Sequence, residues 1–179
     1  MPPDGPIAYQ GAPGAFGHEA CLTFAPGLEP VPFASFAEVV AAVEERRAAR
    51  GMLPVHNNEA GPVEEVERLL DAAALDRVGE YLLPVRMHLI ALPGTALDSV
   101  RTAVSHPVAL KQCARSLDRL GLAREEAANT AVAAARLYDP TKAVLASETA
   151  ARLYGLEILL RDVHDRPDNA TTFVLVVRS

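Results

Sequence analysis

The sequence predicts an α/β protein of two lobes, on three observations. Short apolar runs of strand length alternate with stretches whose apolar residues recur at helical spacing, a pattern that favours mostly parallel sheets. Midway, Tyr81 to Leu92 is a long apolar run interrupted by Pro84, too long for one central strand and read as the crossing from a first lobe to a second. The alternation then resumes and closes on a polar turn, Asp165 to Thr172, that returns the chain to the first lobe. The expected organisation is residues 1–80 with 166–179 as one lobe and 81–165 as the other.

The elements follow in order. Ile7 to Gln10 reads as a strand, Gly11-Ala12-Pro13-Gly14 as a loop, and Gly17 to Phe24 as a helix. After a strand at Val31 to Phe33, Ser35 and Glu38 form a capping box ahead of a helix with Phe36, Val39, Val40 and Val43 on one stripe. Arg46, Arg47 and Arg50 suit that helix's negative C-terminal end. Met52 to Val55 is a strand and Val63 to Ala73 a helix with Val66, Leu69 and Leu70 inward. In the second lobe the strands are Val100 to Ser105, Glu126 to Asn129, Ala143 to Ser147 and Glu157 to Val163. The helices between them run from Pro107 to Leu120, Thr130 to Leu137 and Glu148 to Tyr154. Val174 to Val177 is the last strand.

Composition narrows the function. At 179 residues the chain can bury about 70% of its unfolded surface. A net charge of −6 with no basic stripe excludes nucleic acid and anionic membranes as expected partners. No apolar segment approaches the ~20 residues that span a bilayer, and no signal-peptide pattern opens the chain. Cys21 and Cys113 lie far apart in helix-like patterns and read as buried free thiols, which with the rest gives a cytoplasmic expectation. No His, Cys and carboxylate set has metal-ligand spacing, and the Gly11–Gly14 loop lacks the third glycine and the acidic residue of a dinucleotide fingerprint, so neither metal nor cofactor is expected.

The polar residues gather at strand-to-helix junctions, where α/β proteins assemble ligand sites. They are Gly11 to Gly14, His56-Asn57-Asn58, Ser105-His106-Pro107, Asn129-Thr130, and the terminal Asn169-Ala170-Thr171-Thr172-Phe173. Many donors and few fixed charges suit a small anionic organic molecule. Taken singly, each has a plainer reading: Ser105 and Thr130 as helix caps, His56 and His106 as loop hydrogen-bonders, Asn169 and Thr171 as an Asx-type turn, and Glu64, Glu65 and Glu67 as a solvated face at a helix start. His18 and His88 are given no role.

Five blocks in order, Gly11-Ala-Pro-Gly-Ala-Phe-Gly-His-Glu-Ala20, Pro54-Val-His-Asn-Asn-Glu-Ala-Gly-Pro-Val63, Ser105-His-Pro-Val-Ala-Leu-Lys-Gln-Cys113, Ala143-Val-Leu-Ala-Ser147 and Asn169-Ala-Thr-Thr-Phe173, resemble the signature blocks of prephenate dehydratases. The resemblance covers essentially the whole chain. It implies two α/β lobes similar to type II periplasmic binding proteins, with the active site in the cleft between them, and a homodimer or higher assembly. The implied reaction removes the ring hydroxyl and ring carboxylate of prephenate together, giving phenylpyruvate, water and carbon dioxide in phenylalanine biosynthesis.

By the same resemblance Thr171 matches the family's catalytic threonine, a general acid at the leaving oxygen worth about 10²–10⁴ in rate and resupplied with its proton by a neighbour or water. Gly14, His56, Asn57, Asn58, Ser105, His106, Thr130, Asn169, Thr172 and Phe173 are the implied substrate-binding positions. Several depart from the family pattern: Thr172 stands where arginine is usual, His56 and Asn58 where glutamate and serine are usual, and Ala15 and Gly17 replace hydroxyl residues. A charged hydrogen bond contributes about 1.5–3 kcal/mol, so one lost carboxylate clamp costs about ten- to a hundredfold in affinity. A protonated His56, or the helix starts at Pro107 and Thr130, could take over part of that role. Three readings stand, the dehydratase first: a dehydratase, a lyase that decarboxylates prephenate without expelling the hydroxyl, or a non-catalytic module that clamps a small carboxylate. Many family members carry a C-terminal ACT domain that senses phenylalanine. This sequence ends at Ser179, a few residues past the last strand, so no such domain is expected within it.

Overall fold

The computed structural model describes residues 5–179. The described residues divide into two compact units, one of residues 5–12, Phe16–Pro84 and Ala170–Ser179, the other of Pro13–Ala15 and Val85–Asn169.

In the first unit the order is β1 (Ile7–Gln10), α1 (Phe16–Phe24), β2 (Pro30–Phe33), α2 (Phe36–Glu44), β3 (Arg50–Asn57), β4 (Gly61–Pro62), α3 (Glu64–Ala72) and β5 (Leu75–Pro84), with the final strand β11 (Ala170–Arg178) returning to it. The sheet runs β2-β1-β3-β11-β5, with β4 paired to β3. It is mixed rather than mostly parallel: β1 pairs in parallel with β2 and β3, whereas β11 is antiparallel to both β3 and β5. A last strand that enters after a turn, without a crossover helix, has no reason to run parallel to its neighbours.

Both faces of this sheet are covered, so β11 alternates between two apolar sets. Phe173 and Leu175 pack with Ile7, Tyr9, Met52 and α1, while Val174 and Val176 pack with Leu53, Val39, Val43 and Val66. The Ser35 half of the capping box forms, with Ser35 Oγ accepting from Glu38 N at 3.2 Å, while Glu38 Oε2 reaches one residue further back and accepts from Ala34 N at 3.0 Å. The arginines after α2 do not act as one group. Arg47 pairs with Glu45 and lies over the Phe33 ring, and Arg50 opens β3.

In the second unit β6 (His88–Ala91), a 3-10 turn at Leu97–Ser99, β7 (Thr102–Ser105), α4 (Pro107–Gln112), α5 (Ala114–Leu120), β8 (Ala123–Glu126), α6 (Thr130–Ala135), β9 (Lys142–Ala146), α7 (Glu148–Leu153) and β10 (Glu157–Leu160) follow in sequence. The sheet order is β10-β6-β9-β7-β8, with β7 parallel to β8 and β9, and β6 antiparallel to β9 and β10. The expected helix from Pro107 to Leu120 is two helices meeting at Cys113. The break has a partner from afar: Asp165 accepts from Arg115 N at 3.0 Å and Ser116 N at 3.3 Å, supplying the cap that α5 lacks locally. The apolar run from Tyr81 to Leu92 is also two strands, the end of β5 and β6. Cys21 and Cys113 are buried free thiols, and burial pushes the Cys21 thiol up to about 12. No helix among the described residues is long and apolar enough to cross a membrane.

Candidate active site

The antiparallel pairing of β3 and β11 sets Asn57 directly opposite Thr171 and His56 opposite Thr172. Asn57 Nδ2 donates to Thr171 Oγ1 at 2.9 Å and to the Ala170 carbonyl at 3.1 Å. The other end of the same amide, Oδ1, accepts from Glu59 N at 3.0 Å and Ala60 N at 2.9 Å in an Asx-type turn. Those two backbone donors fix which atom of the amide is oxygen, so the nitrogen must face Thr171. The Asn58 backbone N–H closes the corner by donating to the Ala170 carbonyl at 3.0 Å.

This arrangement decides what the Thr171 hydroxyl does. Its oxygen accepts from an amide, which leaves its own proton to be donated elsewhere, and the amide N–H also stabilises negative charge on the oxygen when that proton leaves. Thr171 is half-buried, neither open to bulk water on all sides nor sealed in the core. Phe173, two residues on, is 2% exposed and belongs to the core beneath. It anchors the strand and does not present its ring to a ligand.

The register that creates this pair depends on a bulge. Thr172 pairs with His56 and Phe173 with Pro54, so Val55 is an extra residue in β3 with no partner in β11. Its carbonyl instead accepts from Val63 N at 2.9 Å. His56 and Asn58 are exposed, and Thr172 is half-buried.

In the second unit, several residues expected to contact substrate hold the structure instead. Ser105 is 0% exposed and donates to the Leu145 carbonyl at 2.9 Å, sharing a further 3.3 Å hydrogen bond with Thr130 Oγ1. Its hydroxyl is committed inside the unit, and its effect on any ligand must pass through Thr130. The helix caps are the neighbours of those expected: His106 Nδ1 accepts from Val108 N at 3.2 Å to cap α4, and Asn129 Oδ1 accepts from Ala131 N and Val132 N at 2.8 and 3.2 Å to cap α6. Thr130 is the first residue of its helix. Asn169 is 2% exposed and its carbonyl accepts from Val85 N at 2.8 Å.

Gly14 is buried at φ +92°, and a Cβ there would lie 3.0 Å from Ala150 Cα. The glycine thus permits close approach of the Pro13–Ala15 loop to α7. Two residues given no role from the sequence secure that loop: Ser147 Oγ donates to the Gly14 carbonyl at 2.9 Å while capping α7, and Tyr154 Oη donates to the Pro13 carbonyl. Ser147 before Glu148 at a helix start was a readable cap signal. Nothing local in the sequence marks the Tyr154 contact, which spans 141 positions. Among the described residues, no group of three or more His, Cys, Asp or Glu side chains gathers as a metal set.

A family model described as prephenate dehydratase matches residues 7–179. An arogenate dehydratase/prephenate dehydratase of Arabidopsis thaliana is 38% identical over 175 residues, spanning 96% of this chain and 46% of its own length. An arogenate dehydratase of Petunia hybrida is 40% identical over 179 residues, spanning 96% and 42%. The structure of a prephenate dehydratase from Arthrobacter aurescens in complex with L-Phe superposes with a TM-score of 0.84 at 28% identity, over 97% of this chain and 60% of that one. A periplasmic substrate-binding protein from Coxiella burnetii shares the fold alone, with a TM-score of 0.51 at 15% identity over 97% of this chain and 84% of its own, in keeping with the binding-protein-like architecture. The chain spans about half the length of the curated relatives it matches.

Proposed function

Because the chain belongs to the prephenate dehydratase family, we propose that it removes water and carbon dioxide together from prephenate, or from arogenate, the other substrate named among its relatives. The observation that carries this reading is the Asn57–Thr171 hydrogen bond, with Oγ1 as acceptor. Thr171 gives its proton to the departing ring hydroxyl. The carbon–carboxylate bond breaks as the carbon–oxygen bond does, its electron pair enters the ring, and the hydroxyl leaves as water. Aromatisation supplies the drive. The protein's task is to lower the cost of hydroxide departure, and the Asn57 amide steadies the alkoxide until a water returns the proton.

The departures from the family pattern weigh less once the register is known. Arginine expected at 172 and glutamate expected at 56 would stand directly across the β3–β11 ladder, and here both are replaced, by Thr172 and His56. Neither replacement strands a charge, and the Asn57–Thr171 pair one step along the ladder is intact. This favours catalysis over a purely binding role.

The reading extends to a cytoplasmic setting, supported by two buried free thiols, and to a homo-oligomer, supported by Val78 and Leu82, 53% and 59% exposed on the edge strand β5. Light scattering on the purified chain checks the second point. The function itself is tested by incubating the protein with prephenate and with arogenate and identifying products. An aromatic product with released carbon dioxide supports the reading, whereas a non-aromatic decarboxylated product or unchanged substrate refutes it. Thr171→Val keeps the shape and removes the proton, and should abolish the activity.

A further inference from the structure

The ladder between β10 and β6 stops at Leu160, paired with Leu89, yet residues 161–165 stay beside the start of β6. One backbone bond holds them there, from Val163 N to the Met87 carbonyl at 2.9 Å. On either side of it an imidazole takes the place of a backbone carbonyl. His88 Nδ1 accepts from Asp162 N at 3.0 Å, and His164 Nδ1 accepts from Met87 N at 3.3 Å. Two accepting Nδ1 atoms require two neutral rings, each with its proton on Nε2. What they hold is strained: Asp162 sits at φ +52°, in the left-handed region that a residue other than glycine keeps only where its surroundings fix it. The same segment ends at Asp165, which caps α5 through Arg115 N and Ser116 N, so it joins β6 to that helix.

We propose that His88 and His164 form an acid-sensitive clasp, in which protonation of both rings at Nδ1 breaks the two bonds and releases residues 161–165 from β6. A protonated Nδ1 is a donor, and it would face a second donor, the backbone N–H it formerly received. Burial, the largest influence on His88, holds its pKa below the ordinary 6.5; Arg161 and Arg86 act in the same direction, and Asp162 and Glu148 against it. His164 shares its groove with Arg115, Arg119, Asp162 and Asp165. Asp162 is held in a bidentate pair by Arg86, at 2.8 and 2.5 Å, which keeps its carboxyl below the ordinary 3.8, so this pair persists in mild acid while the rings change charge. The clasp lies wholly within the second unit and draws on no residue of the Asn57–Thr171 pair, so it stands or falls apart from the dehydratase reading.

The test is nuclear magnetic resonance of the full chain. At about pH 7.5 the imidazole nitrogen signals should show both Nδ1 atoms without a proton. Between that and about pH 5, protection of the Met87 and Asp162 amides from hydrogen exchange should fall about tenfold more than that of the β9 amides. His88→Asn with His164→Asn puts an amide oxygen that does not titrate near each Nδ1 position, and should keep that protection in acid. A proton on either Nδ1 at the higher pH, a loss at Met87 and Asp162 no greater than in β9, or an equal loss in the double variant would each overturn the proposal. The first two readouts use the unaltered chain and decide the matter even where the double variant does not fold.

Discussion

Replacing Asn57 with Asp exchanges one nitrogen for oxygen and reverses the hydrogen bond on which the proposed acid depends. Oδ1 keeps its two backbone donors, Glu59 N and Ala60 N, so the turn survives. The other oxygen cannot donate. One hydrogen bond is lost, to the Ala170 carbonyl, at about 1 kcal/mol, and the other is reversed, with the Thr171 hydroxyl as donor. A protein of this size then loses about 2–4 °C of melting temperature. The kinetic effect is larger. Thr171 now donates its proton to the carboxylate, and the general acid is withdrawn, so kcat falls about 10²–10⁴ while KM changes little. Initial rates on prephenate or arogenate, alongside a melting curve, separate the two effects. A folded Asn57→Asp protein whose kcat stays within about threefold of the parent would refute the assignment of Thr171 as acid.

Other expectations follow from particular contacts. Gly14→Ala forces a side chain into the left-handed region and against Ala150, and should cost about 1–3 kcal/mol in denaturant unfolding. Restoring the family pair tests the register: Thr172→Arg with His56→Glu should be more stable than the two single effects predict by about 0.2–1 kcal/mol, and strict additivity would contradict their facing positions. His88 is 2% exposed, its Nδ1 accepts from Asp162 N at 3.0 Å, and burial holds its pKa below the ordinary 6.5. The unfolded chain takes up a proton near 6.5 that the native chain refuses until lower pH, so stability is lost as pH falls through 6.5 and levels off below the native value. Denaturant midpoints at about pH 7.5 and pH 5.5 should differ in this direction, and less so in His88→Gln.

Much of this was legible in the residues because apolar periodicity is a local signal. Strands such as Ile7–Gln10 and Ala143–Ala146 read clearly since both their faces are buried. Two of the four edge strands, β8 and β5, did not. Ala123–Glu126 is charged and exposed throughout, and the Leu75–Glu80 part of β5 mixes Asp76, Arg77 and Glu80 with apolar residues, so neither shows the pattern of a core strand. The break at Cys113 was hidden because the group that caps the helix after it, Asp165, lies fifty positions beyond Arg115. At the candidate site, Asn57 and Thr171 each stand in a separate block of the sequence, and their pairing is a long-range register that no local pattern encodes. Ser105 misled for the opposite reason: a hydroxyl at a strand end reads the same whether it faces a ligand or, as here, a buried carbonyl.

The unpartnered Val55 sets a rule for how this chain can vary. Phe173 and Thr172 are neighbours in β11, so their partners Pro54 and His56 already face opposite sides of the sheet, and deleting Val55 would join them without turning over Leu53 and Met52 or the Asn57 amide. The bulge would close, and the carbonyl that receives Val63 N would go with it. Val55 is therefore the point in β3 where the chain can shorten by one residue and keep every side chain on its own face.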